Sequence, residues 1–171
     1  CGMNIVKGIL DLTEEQKSFI DYILSVDFHW FYQESVYGNM QIAHCLMFRN
    51  EYNLPIPGKI NSEDYNMSES IFKSFCNQNN IKVNNILRAA INCTFHSSEN
   101  SVGIHRDHEF DHNVFLMYLN ESSGDTIIYQ NGDEIRIPFE QYKCVVFSGE
   151  EHTHEFCAPN QRRVVMAFTF N

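Results

Sequence analysis

The chain has 171 residues, 43% of them hydrophobic and 13% aromatic, enough apolar surface to bury roughly 70% of the unfolded area in a single core without a disulfide or metal staple. That excludes extended disorder, and no apolar run approaches the ~18 residues of a membrane span. With 12 basic against 22 acidic residues, a formal charge of -10, and no basic cluster beyond Arg162-Arg163, the composition disfavours nucleic acid as a partner.

No basic segment precedes an apolar one at the start, and Cys1-Gly2 reads as a two-residue scar ahead of an initiator Met3, so a cytoplasmic address is expected. The six cysteines are scattered without CxxC spacing and are expected to act as small buried hydrophobes.

Thr13-Glu14-Glu15-Gln16 has the form of a capping box, and Phe19, Ile20, Ile23 and Leu24 continue it at helical spacing to about Ser25. A second helix is expected from Ser68 through Ile71, Phe72 and Phe75 to the Asn-rich stop at residues 77–80. Between them, the aromatic stretch from Phe28 to Tyr32 and the Pro/Gly-marked loop at Pro55 to Gly58 read as irregular.

From Ile81 onward the pattern becomes short β-type runs at Ile86–Phe95, Val114–Leu119, Thr126–Tyr129, Glu134–Ile137, Tyr142–Phe147 and Arg163–Phe170, with Asn131-Gly132 as a hairpin turn. Short strands without intervening helices predict an antiparallel sandwich or barrel. The whole chain, residues 1–171, reads as one mainly β (α+β) domain, with a helical and loop support region over residues 1–80 and a β core over 81–171.

His105-Arg106-Asp107 is the densest polar motif. On an extended chain His105 and Asp107 share a face, and an imidazole beside a carboxylate suits a borderline divalent metal better than calcium. By itself this spacing is common. Its weight rises with the downstream pair His152-Thr153-His154, because two histidines and one carboxylate can form a facial triad that leaves open positions on iron. Such a triad uses one histidine of the pair and leaves the other at the surface.

Arg163 opens the last strand, on the face shared with Val165, Ala167 and Thr169, while Val164, Met166, Phe168 and Phe170 point the other way. A guanidinium directed inward needs an anion, for which a carboxylate is the natural bidentate partner. Arg162, on the opposite parity, suits exposure to water.

His105-Arg106-Asp107, Tyr118-Leu119-Asn120, Gly124-Asp125-Thr126, the distal histidines and Arg163 stand in an order that resembles the 2-oxoglutarate and Fe(II)-dependent dioxygenases, in particular short microbial or viral members related to prolyl-4-hydroxylase domains. The resemblance covers about Ile86 to Phe170 and, more faintly, Phe28 to Tyr32. It implies a double-stranded β-helix, or jelly roll, with N-terminal supporting helices. It also implies Fe(II) bound by His105, Asp107 and a distal histidine, a clamp from Arg163 on the far carboxylate of 2-oxoglutarate, and a hydrogen bond from Tyr118 to the same group. His154 is the preferred distal ligand, because the stretch from Phe147 through His154-Glu155-Phe156 to Arg163 follows the prolyl-hydroxylase pattern without a gap. His152 is the alternative if Arg162 is the clamp, which strand parity argues against.

The implied reaction couples oxidative decarboxylation of 2-oxoglutarate by dioxygen to hydroxylation of a substrate, or to demethylation through a hydroxylated methyl group. A mouth built from Asn39 to Asp64 and from His108 to Asn113 would be acidic and aromatic, favouring a peptide, amino acid or other small molecule over nucleic acid. Tyr37, Phe48, Tyr52 and Tyr65 are candidates for a substrate wall, although such aromatics are more often core. Two rival readings are a cupin-type metal enzyme using His105, His108 and a later histidine without 2-oxoglutarate, and a catalytically silent jelly roll that only binds.

Overall fold

The Thr13 cap works as its spacing predicts: its hydroxyl accepts from the Gln16 amide, and the Gln16 side chain accepts from the Thr13 amide. The computed structural model describes residues 4–34 and 40–171; Cys1, Met3, Tyr37 and Asn39 lie outside the described residues. In chain order the elements are β1 (Val6–Ile9), α1 (Glu14–Leu24), β2 (Phe31–Glu34), β3 (Met40–Phe48), β4 (Lys59–Ile60), α2 (Tyr65–Gln78), β5 (Ile86–Phe95), β6 (Asn113–Tyr118), β7 (Thr126–Gln130), β8 (Asp133–Ile137), β9 (Lys143–Ser148), β10 (His152–His154) and β11 (Arg162–Phe170). No helix among the described residues is long and apolar enough to cross a membrane.

The chain is mainly β, with two antiparallel sheets in a jelly-roll arrangement. The large sheet runs β1-β9-β6-β11-β5-β3-β2, with β4 paired to β3, and the small sheet runs β10-β7-β8. Strands β1 to β4 come from the region expected to be helix and loop. Strand β3 pairs with β5 from Gln41 to Met47, with a register shift between Cys45 and Met47, and polar Gln41 and His44 interrupt the alternation by which a strand is recognised.

Period-two alternation then divides the large sheet. Its outer face, carrying Ile91, Phe115, Val146, Met166 and Phe168, forms the main core with Ile20 and Ile23 of α1 and Ile71 and Phe72 of α2. Phe72 stacks on Phe168 with centroids 4.7 Å apart and meets Phe115 and Phe170 edge-on. The inner face packs Val114, Tyr118, Val145, Phe147 and Val165 against Ile128 and Ile137. The five described cysteines are unbridged and all but Cys45 are buried, as expected of small apolar side chains.

Helix α2 begins three residues earlier than its Ser68 start signal. Ser68 lies inside the helix, where its hydroxyl donates back to the Asp64 carbonyl, a use of serine that sequence alone does not separate from a cap. At the β7–β8 hairpin Asn131 and Gly132 have φ of 54° and 85°, as a two-residue primed turn requires.

Candidate functional site

The 101–107 segment runs beside β10, with bridges at Ser101–Glu155 and at His105–His152. The His105 amide donates to the His152 carbonyl at 3.0 Å and the His152 amide returns to the His105 carbonyl at 2.9 Å, which sets the imidazoles side by side with centroids 4.6 Å apart. Asp107, two residues beyond His105 on an extended stretch, brings its Oδ2 to 3.6 Å from His152 Nε2. One ligand atom from each of His105, Asp107 and His152 lies within 4.8 Å of the others.

The tautomers suit metal binding. His105 Nδ1 is 2.8 Å from the Gly103 carbonyl and His152 Nδ1 is 2.9 Å from the Glu150 carbonyl. A carbonyl only accepts, so each Nδ1 carries a hydrogen, which leaves Nε2 as the nitrogen available to a metal. Burial pushes the His152 pKa down, against the opposing pull of Asp107, which keeps the ring neutral. Burial acts to raise the Asp107 pKa, but His152, Arg88, His105 and His112 together hold it below its ordinary value. Two imidazole nitrogens and one carboxylate are a donor set that fits a borderline divalent ion such as Fe(II), with coordination positions left over.

His154, the distal ligand expected from chain spacing, does not join this group. It lies on the same face of β10, but two residues on, about 6.6 Å along an extended strand, so the bridge to His105 selects His152. Its environment is the other end of the site: burial and the nearby Arg163 charge hold its pKa well below the ordinary histidine value. The alternative distal ligand, His152, is the one beside His105 and Asp107, but without the Arg162 clamp it was tied to: Arg162 donates to the Leu24 carbonyl at the end of α1 at 2.6 Å.

Arg163 is buried and lines a cavity of about 400 Å³ together with His105, Asp107, His152 and His154. Its Nε donates to the Gly124 carbonyl at 2.9 Å and its Nη2 to Thr126 Oγ1 at 3.0 Å. The Tyr118 and Phe139 rings flank it at 5.6 and 5.3 Å from the guanidinium carbon. Burial pushes its pKa down, opposed by Tyr118, Cys157 and Asp125. No carboxylate among the described residues forms an ion pair with it, so a fixed cation points into the cavity with donors to spare.

Tyr118 reaches Arg163 by another route than expected. Its hydroxyl donates to Thr126 Oγ1 at 2.7 Å, and it packs in the inner core rather than lining the cavity. Thr126, by contrast, does line the cavity. With Tyr118 and Arg163 using both of its lone pairs, its own hydrogen remains to be donated. In the sequence Thr126 stands only as the end of the Gly124-Asp125-Thr126 step, with no role of its own; its signal is that position, opening β7.

The mouth also differs from expectation. Tyr65 is core, packed near Phe168, while Phe48 and Tyr52 are exposed and away from the cavity. Among the described lining residues there is no Phe, Tyr or Trp, and Asp107 is the only carboxylate; Arg49, Arg88, Arg106 and Arg163 are all present. His108, the ligand of the cupin-type reading, is taken up by Asn53 at 3.0 Å and Thr169 at 2.8 Å.

No protein-family model matches the sequence, and no curated protein is significantly similar to it. Solved structures do share its fold. A 2OG-Fe(II) oxygenase family oxidoreductase from Burkholderia pseudomallei superposes with a TM-score of 0.73 at 11% identity, over 98% of this chain and 85% of that one. A prolyl hydroxylase from Trichoplax adhaerens, in complex with a peptide fragment of the hypoxia inducible factor oxygen degradation domain, gives 0.66 at 9% identity over 97% and 82%. The epimerase SnoN in complex with Fe3+, alpha ketoglutarate and nogalamycin RO gives 0.63 at 6% identity over 97% and 78%.

Proposed function

We propose that this jelly roll is a non-haem Fe(II) dioxygenase that couples oxidative decarboxylation of 2-oxoglutarate to hydroxylation of a peptide or small-molecule substrate. The observation that carries the reading is one cavity holding both the His105, Asp107 and His152 donor set and a buried Arg163 without a carboxylate partner. The fold is shared with a 2OG-Fe(II) oxygenase family oxidoreductase and with an epimerase in complex with Fe3+ and alpha ketoglutarate.

Bound there, ferrous iron and 2-oxoglutarate supply the oxidising chemistry, consuming dioxygen, releasing succinate and carbon dioxide, and adding one oxygen atom to a C–H bond. The protein's own residues bind and orient. In this reading His105, Asp107 and His152 hold the metal, with the Gly103 and Glu150 carbonyls fixing which imidazole nitrogen faces it. Arg163 forks onto the far carboxylate of 2-oxoglutarate, and the Thr126 hydroxyl donates to the same group. Tyr118 is a positioning residue, acting on that carboxylate through Thr126. Apolar Val165 and Ala167 on the cavity floor limit the water around the reacting groups.

Succinate formation under air with Fe(II) and 2-oxoglutarate tests the proposal. Asp107→Ala is expected to abolish it, and Arg163→Ala to raise the KM for 2-oxoglutarate by at least tenfold, the scale of a lost charge-assisted contact. Turnover retained in Asp107→Ala would remove that carboxylate from its role. Iron bound without any 2-oxoglutarate dependence would favour the cupin-type reading instead.

A further inference from the structure

The cavity is charged oppositely to the protein around it. The chain carries a formal charge of -10 with 12 basic residues, yet four arginines and a single carboxylate, Asp107, line the cavity among the described residues. These arginines fall at two ends. Along the β5–β11 pair Arg163 sits opposite Thr94 and Thr169 opposite Arg88, so six residues, roughly 20 Å of extended strand, separate Arg88 from the Arg163 end. Asp107 belongs near the Arg88 end, its Oδ1 3.8 Å from Arg88 Nη1.

At that end Arg49 is exposed and makes no hydrogen bond or ion pair among the described residues; burial, Arg88 and Asp107 set its environment. Arg106, also exposed, commits only its Nε, to the Gly149 carbonyl at 2.8 Å. Three guanidinium groups therefore share one carboxylate, which the proposed function assigns to the metal. A divalent cation and the doubly negative 2-oxoglutarate would cancel one another, so loading the site leaves this excess in place. Clustered cations that outnumber their counter-charges favour a bound anion, and the planar fork of arginine is suited to an oxyanion.

We infer, resting on the oxygenase reading, that Arg49, Arg88 and Arg106 bind the substrate through an oxyanion, a carboxylate or phosphate, and that this substrate is a small molecule. Among the described lining residues no aromatic ring is present for a base to stack on, while the side-chain amides of Gln41 and Asn92, hydrogen-bonded to each other at 3.2 Å in the lining, suit polar groups. A long polyanion would also meet the repulsion of the acidic protein outside the cavity.

Calorimetric titration of the Mn(II)-loaded protein under argon at low ionic strength separates this inference from the reading beneath it. A first titration with 2-oxoglutarate tests the oxygenase reading. Inorganic phosphate and acetate, each added after 2-oxoglutarate saturation, test the arginine end. At least one of the two is expected to bind, with a Kd about tenfold weaker in Arg49→Gln and largely restored in Arg49→Lys; their relative affinities identify the oxyanion. Failure of both probes to bind, or binding unchanged in both Arg49→Gln and Arg106→Gln, overturns the inference even where 2-oxoglutarate binds. Anion binding that survives while 2-oxoglutarate fails to bind overturns the oxygenase reading and leaves the anion site standing. A single-stranded oligonucleotide that binds more tightly than phosphate overturns the small-molecule assignment.

Discussion

His152 and His154 differ in their cross-strand neighbours, not in the face of β10 they occupy. His152 is bridged to His105 by two backbone hydrogen bonds, whereas His154 lies toward Arg163, whose charge helps to hold it neutral. Parity is legible from a sequence, because side chains alternate with period two. Which residue stands across a gap of 46 positions is not. The same limit applied to Tyr118 and Thr126: the motif order brought only Tyr118 to the group that Arg163 clamps, and the contacts show that the tyrosine holds the threonine, which faces the cavity. At this scale, His152→Ala is expected to weaken Mn(II) binding by more than the 10- to 100-fold typical of losing an outer hydrogen-bond partner. His154→Ala should weaken it far less. Anaerobic metal titration of the two variants checks the assignment, and the reverse order of effects would return the role to His154.

The connection into β7 matters as much to the site as the strands themselves. Gly124 has φ of 98°, in the left-handed region that disfavours a side chain, and a Cβ there would stand 2.5 Å from the Glu155 carbonyl oxygen and 3.2 Å from Arg163 Cδ. The Gly124 carbonyl also accepts from Arg163 Nε. Gly124→Ala is therefore expected to cost about 1–3 kcal/mol of stability and to weaken 2-oxoglutarate binding more than metal binding, measured by thermal unfolding and by titration with each ligand. Equal losses for both ligands would mean general damage rather than a displaced arginine. Elements with strong local signals were legible: the capped α1, β5 with its full bounds, and the Asn131-Gly132 hairpin. Those held mainly by long-range pairing were not. Strand β10 is three residues long, and β3 reads as irregular until β5 is beside it.

Across the whole molecule, ligands proposed for the cavity would tie together parts far apart in the chain: the 105–107 segment, the small sheet through β7 and β10, and the large sheet through β11. Mn(II) with 2-oxoglutarate at about 100 times its Kd should add about 2.7 kcal/mol of stability, which for a chain of this size raises the Tm by roughly 5–10 °C. A Tm unmoved by either ligand at that concentration would support the silent-binder reading. The sequence by itself determined the β-rich class, the two helices and their buried faces, and the parity that sends Arg163 inward and Arg162 outward, because capping, helical spacing and strand alternation are local properties. The identity of the third residue beside His105 and Asp107, the arginine-rich lining, and the strands recruited from the first 80 residues were decided only by the tertiary structure. Each of these depends on which segments lie across from one another, and that is fixed by the burial and backbone pairing of the entire chain rather than by any window within it.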